Sequence, residues 1–183
     1  MGKVKRGGYV FRFGSGGKVM RILNIDLNNR KKIFSVKTDT SVFSYPFAKL
    51  DPSPTKDNPL NSVWIDKDFG EEAFSYSLAN NRSGTVHIDH ILEYNREPNY
   101  MTELLLYKLT LEAKKQVENT PLSKREIIRR LGTSPSQYYR LLDQTNVTKS
   151  INKMVNLLQV LGCEMDIVFR DSDTKSESTL VSV

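Results

Sequence analysis

The chain has 183 residues, 38% of them hydrophobic, with charges of both signs, which suits one folded domain or two small ones. A formal net charge of +6 and a pI near 9.3 favour a polyanionic partner. The lone cysteine, Cys163, excludes an intramolecular disulfide and a paired-cysteine zinc site; with no apolar run of membrane length and no signal-peptide core, a cytoplasmic location is expected.

Residues 1–18, MGKVKRGGYVFRFGSGGK, combine glycine, basic and aromatic residues and read as a flexible basic arm. Such an arm could track a nucleic-acid backbone. The GSGGK within it is too short for a phosphate loop and follows no apolar strand. The charge bias is sharpest here: residues 1–32 carry nine basic side chains against one acid, Asp26.

From Val19 the texture changes. VMRILNIDL, IFSVKT and SVFSYPF are strand-like runs separated by Asn28-Asn29 and Asp39-Thr40, which predicts an antiparallel meander. Asp51–Pro59 is a loop by composition. SVWID predicts another short strand; DFGEEAFSYSLAN suits a strand or a short helix, with the alternation of AFSYSL favouring strand; and TVHIDHILEY alternates before turning helix-like. Residues 19–97 therefore form a β-rich domain. His87, Asp89 and His90 raise a metal reading, but a strand would point His90 away from the other two, and neither HxxxH nor HExxH is present. A structural or surface role is favoured for them. No nucleophile motif or paired-carboxylate constellation stands out, so no enzyme, metal or cofactor is expected.

Asn95–Tyr100 reads as the linker, because Pro98 discourages helix before it. MTELLLYKLTLEAKKQVENT then predicts a long helix with Thr102 as N-cap and Leu105, Leu109, Glu112, Ala113 and Gln116 on one face. Next come two short helices. Ser123 with Glu126 makes one S-x-x-E capping box, and Ser134 with Gln137 makes a second, S-x-x-Q, with Pro135 at the first helical position. Gly132 suits a left-handed helix end between them. Tyr138, Leu141 and Leu142 share a face of the second helix, which leaves Ser136, Gln137, Tyr139 and Arg140 outward. After the polar loop DQTNVTK, Ser150 caps a last helix ending at Gly162. CEMDIVFR alternates as a strand, and 171–183 reads as a disordered tail.

The run SKREIIRRLGTSPSQYYRLL, the spacer, INKMVNLLQVLG and CEMDIVF together resemble the Cro/repressor-type, or xenobiotic-response-element (XRE), helix-turn-helix family, over about Leu104 to Phe169. One departure is that this family often carries Ala where Ile127 or Ile128 stands. Residues 19–94 look, more weakly, like small β-rich domains of unknown function fused ahead of such domains. The resemblance implies an α+β chain: a β-rich N-terminal domain, then an all-α lambda-repressor-like helix-turn-helix domain over residues 98–170 with a C-terminal strand.

The function this implies is sequence-specific transcriptional regulation, as a repressor dimer on double-stranded DNA. Ser136, Gln137, Tyr139 and Arg140 would contact bases, and Lys124, Ser134, Lys149 and Lys153 would contact phosphates. The alternative is an antitoxin that neutralises a toxin-like protein partner and autoregulates its operon. The strand CEMDIVF would pair either with its twin in a dimer or with the N-terminal sheet.

Overall fold

The computed structural model describes residues 20–169 and 179–181. The basic arm expected at residues 1–18 lies outside them. The fold is α+β: the described residues form two three-stranded antiparallel sheets, one two-stranded sheet and five α-helices, and the chain divides into two compact units, Met1–Glu103 and Leu104–Val183.

In the first unit, β1 (Ile22–Asn28), β2 (Ile33–Thr38) and β3 (Val42–Pro46) form one meander. β4 (Leu60–Asp66), β5 (Ala73–Leu78) and β6 (Ser83–His87) form the other. The two meanders correspond position by position. Each first strand slips register after its opening pair, between Ile22 and Asn24 and between Leu60 and Ser62. Phe34-Ser35 on one middle strand matches Phe74-Ser75 on the other, and the two phenylalanine rings meet at 5.0 Å, tilted by 53°. Phe34, Val36, Phe74, Tyr76, Leu78 and Ile91 are fully buried, so this core is built from both middle strands and the helix that follows.

That helix, α1 (Ile88–Tyr94), is capped by His87, whose Nδ1 accepts from the Asp89 amide at 3.3 Å. The Glu72 carboxylate lies 3.8 Å from the other ring nitrogen. His87 therefore starts a helix. Asp89 and His90 sit inside the first turn of α1, so the strand on which His87 and Asp89 would have shared a face ends at His87. No group of three His, Cys, Asp or Glu among the described residues could hold a metal ion. At the far end of α1, Asn95 bonds both backbone groups of Ser44, donating to its oxygen at 2.8 Å and accepting from its nitrogen at 3.3 Å. It thereby occupies the outer edge of β3, where unpaired backbone groups would otherwise face water.

Gly84 is required by contact. A Cβ there would strike the Tyr76 hydroxyl and come within 2.7 Å of the Asp51 carbonyl. The Tyr76 hydroxyl cannot yield easily, because it donates to the Pro52 oxygen at 2.9 Å.

α2 (Pro98–Asn119) starts four residues before the expected cap at Thr102. Proline suits a first helical position, and the Glu97 carboxylate accepts from the Tyr100 amide at 2.6 Å, supplying the cap. The expected apolar face also differs. Of the residues expected on it, Ala113 is buried but Leu105 is 46% exposed, and Leu104, Leu106 and Thr110 are buried instead. Leucines on every side of this helix leave periodicity with no face to choose.

In the second unit, Leu106, Ala113, Ile127, Tyr138, Leu141, Met154, Leu157 and Leu158 form one core cluster from α2, α3 (Lys124–Leu131), α4 (Pro135–Leu142) and α5 (Ile151–Val160). Ile127, at one of the two positions where the resembled family often has Ala, is wholly buried in it. β7 (Ile167–Phe169) pairs antiparallel with β8 (Thr179–Val181). The strand's partner thus lies in the chain's own tail, and part of a segment expected to be disordered is a strand.

Candidate nucleic-acid interface

The α3–α4 pair is built from local signals. Ser123 and Ser134 have extended backbones, and each hydroxyl accepts from the amide three residues on, at 3.2 Å from Glu126 and 3.3 Å from Gln137. Gly132 turns the chain between the helices at φ 59°. Its amide bonds the Arg129 oxygen, and the Thr133 amide bonds the Ile128 oxygen, closing the end of α3.

Only the serine half of the first capping box forms in the expected way. The Glu126 carboxylate turns along α3 to Arg129 and Arg130, with contacts of 2.6 Å and 2.8 Å. Bonds from the two guanidinium groups hold its pKa down at about 2. Two of the basic side chains on this helix are therefore already matched to an acid.

On α4, Tyr138 is fully buried and Leu141 nearly so. Ser136 and Arg140, four residues apart, lie on the opposite side of the helix, flanked by Gln137 and Tyr139, and all four are exposed. Tyr139 is 57% exposed, yet its ring packs edge-on against Tyr138 at 5.4 Å, which restrains where it points. Ser134 at the start of α4, Lys124 at the start of α3 and Lys153 on α5 are also exposed.

Lys149 departs from expectation. It is only 8% exposed, and its ammonium donates inward to the Thr110 hydroxyl at 2.7 Å, the Leu141 oxygen at 2.9 Å and the Asp143 oxygen. Three donors meet three acceptors, so the group is fully used within the fold. The physical reason is the end of α4. Its last carbonyls carry the negative pole of the helix and have no partner within it. Asn146 takes the Arg140 oxygen at 3.1 Å, and Lys149 takes the next. Burial lowers the lysine pKa to about 8, opposed by the nearby Asp143 carboxylate. Lys149 is a helix-end anchor and is withdrawn from the phosphate contacts.

The loop that delivers it is ordered by two short motifs of one kind. Asp143 accepts from the amide and hydroxyl of Thr145, and Asn146 accepts from the amide and hydroxyl of Thr148.

Seven of the eight residues expected to touch DNA are thus solvent-facing: five on or at the start of α4, with Lys124 and Lys153 on α3 and α5. No protein-family model, curated protein or solved structure matches this chain. The geometry of α3 and α4 therefore carries the functional argument unaided. No described helix is long and apolar enough to cross a membrane.

Proposed function

We propose that the chain is a sequence-specific DNA-binding regulator, a repressor that acts as a dimer and reads base edges with α4 as its recognition helix. The observation that carries this reading is the division of α4 into a buried face and a readout face. Tyr138 and Leu141 anchor the helix, and Ser136, Gln137, Tyr139 and Arg140 face solvent together. These are the side-chain types that base edges select. Arg pairs bidentately with guanine and Gln with adenine, each worth roughly 1–3 kcal/mol of discrimination, and an apolar ring suits the thymine methyl.

Lys124 and Lys153 supply the sequence-independent attraction to phosphates, helped by Ser134 at the positive end of α4. A dimer reading two half-sites would supply the affinity that one small motif lacks. The test is capture of genomic fragments by the purified chain, followed by sequencing. Enrichment of one short, two-fold symmetric site is the expected result, and recovery of fragments at random would refute the reading. A small protein that co-purifies in fixed ratio would point to the antitoxin role.

A further inference from the structure

The β1–β2 turn holds the densest run of cations among the described residues: Arg30, Lys31 and Lys32, consecutive and all exposed. Beside it opens a cleft of about 660 Å3, bounded by this turn, the short 3-10 turn Phe47–Lys49 and the loop of residues 51–59. Asn29, Lys32, Phe47, Thr55 and Lys56 are among its walls. No carboxylate lines it, although Asp51 and Asp57 belong to the same loop. None of Arg30, Lys31, Lys32 and Lys56 is paired with an acid among the described residues.

The backbone on both sides of the cleft is well defined. Lys32 has φ 55°, the left-handed conformation that glycine or asparagine adopts at least cost. Glu71, Asn81 and Arg96 share this conformation, so it fixes the course of the turn without setting Lys32 apart. Both walls are held in place. The Lys32 oxygen accepts from the Phe47 amide at 2.9 Å, and the Asn28 side chain accepts from the Lys31 amide at 2.9 Å. Beyond Lys56, Asn58 bonds Thr55 at 3.1 Å and accepts from the Asn80 amide at 2.9 Å. Two unpaired ammonium groups on fixed backbone, with Asn and Thr side chains beside them, suit a phosphodiester oxygen.

We propose that this cleft and turn are a second nucleic-acid contact, in which Lys32 and Lys56 hold the phosphodiester backbone of duplex DNA. The inference rests on the DNA-binding reading above and adds to it a surface on the β-rich unit. The first unit then contributes affinity without sequence preference, while α4 contributes the preference.

The test compares the full chain with its Lys32→Gly/Lys56→Ala variant on a random-sequence duplex, by fluorescence anisotropy across a salt series. Each lost phosphate contact lowers the log–log salt slope by about 0.9, so the double variant should lose roughly 1.8 and bind roughly tenfold more weakly. Lys32→Gly relieves the backbone, so the variant should melt no lower than the parent, which separates lost binding from lost folding. Lys56→Ala alone should lower the slope by about 0.9. An unchanged slope in folded variants would overturn this proposal and leave the α4 reading standing. Failure of the unaltered chain to bind any duplex would overturn both.

Discussion

Lys149 reaches back 39 residues to donate to the hydroxyl of Thr110 at 2.7 Å. Thr110 is fully buried on α2, and its own hydroxyl proton goes to the Leu106 oxygen at 2.6 Å. The ammonium therefore joins α2 to the end of α4, where three oxygens satisfy it. A surface loop residue is in this way a core residue of the second unit.

Replacing Lys149 with Met keeps most of the aliphatic stem but strips the end of α4 of its donor. The Lys149→Met chain should lose about 2 kcal/mol of stability in urea unfolding, as expected when a charge-assisted bond is removed from buried acceptors. Its DNA-binding salt slope should equal that of the parent. A folded variant with a slope lower by about 0.9 would restore Lys149 to the phosphate contacts.

Glu126 offers a test by pH. Its pKa is lowered by Arg129 and Arg130, so the folded state favours the carboxylate more than the unfolded chain does. The stabilisation is present above the ordinary value of 4.5 and is lost as pH falls toward about 2. The parent should lose its advantage over Glu126→Gln across that window, and the effect should shrink in salt because the group is exposed. At neutral pH the same variant releases two guanidinium groups, so its DNA salt slope should become steeper. A parallel pH profile for the two chains would show the ion pairs to be inconsequential.

Tyr138 is fully buried, and its hydroxyl has no hydrogen-bond partner among the described residues. Leaving a hydroxyl unpaired in a core costs about 1–3 kcal/mol. Tyr138→Phe should therefore be neutral or raise the melting temperature, with DNA affinity unchanged. A loss of more than about 1 kcal/mol would mean that the hydroxyl is satisfied in solution.

Arg140 and Lys124 separate readout from attraction. Arg140→Ala should flatten base preference at one position of the site, at a cost of roughly 1–3 kcal/mol on the preferred base. Lys124→Ala should weaken every sequence alike and lower the salt slope by about 0.9. Competition binding with single-base variants of the selected site reads both. Equal losses on all sequences from Arg140→Ala would remove its assigned role.

Local signals carried far through this chain. Ser123, Gly132, Ser134 and Pro135 mark the bounds of α3 and α4 because capping and left-handed turns involve atoms three to five residues apart. IFSVKT and AFSYSL match β2 and β5 residue for residue, since alternation and flanking turn residues bound a strand from within. At Ser150 the position of the cap is right, but the hydroxyl makes no capping bond.

Partners distant in the chain left no such trace. Thr110 stands in line with Leu106 and Ala113, and a hydroxyl within an apolar stripe was the one available sign that something polar would meet it there. Nothing in DQTNVTK distinguished a lysine turned inward from one turned out.

Sequence periodicity and punctuation were enough to order the elements and to turn Ser136, Gln137, Tyr139 and Arg140 outward, because a short helix with one buried face has only one way to lie. Tertiary packing alone decided the rest. Which face of α2 is buried, that Lys149 closes α4, and that Lys32 and Lys56 share a cleft all depend on residues brought together from well-separated parts of the chain. Burial and charge compensation act on distances in space, and at those separations the order of residues does not encode them.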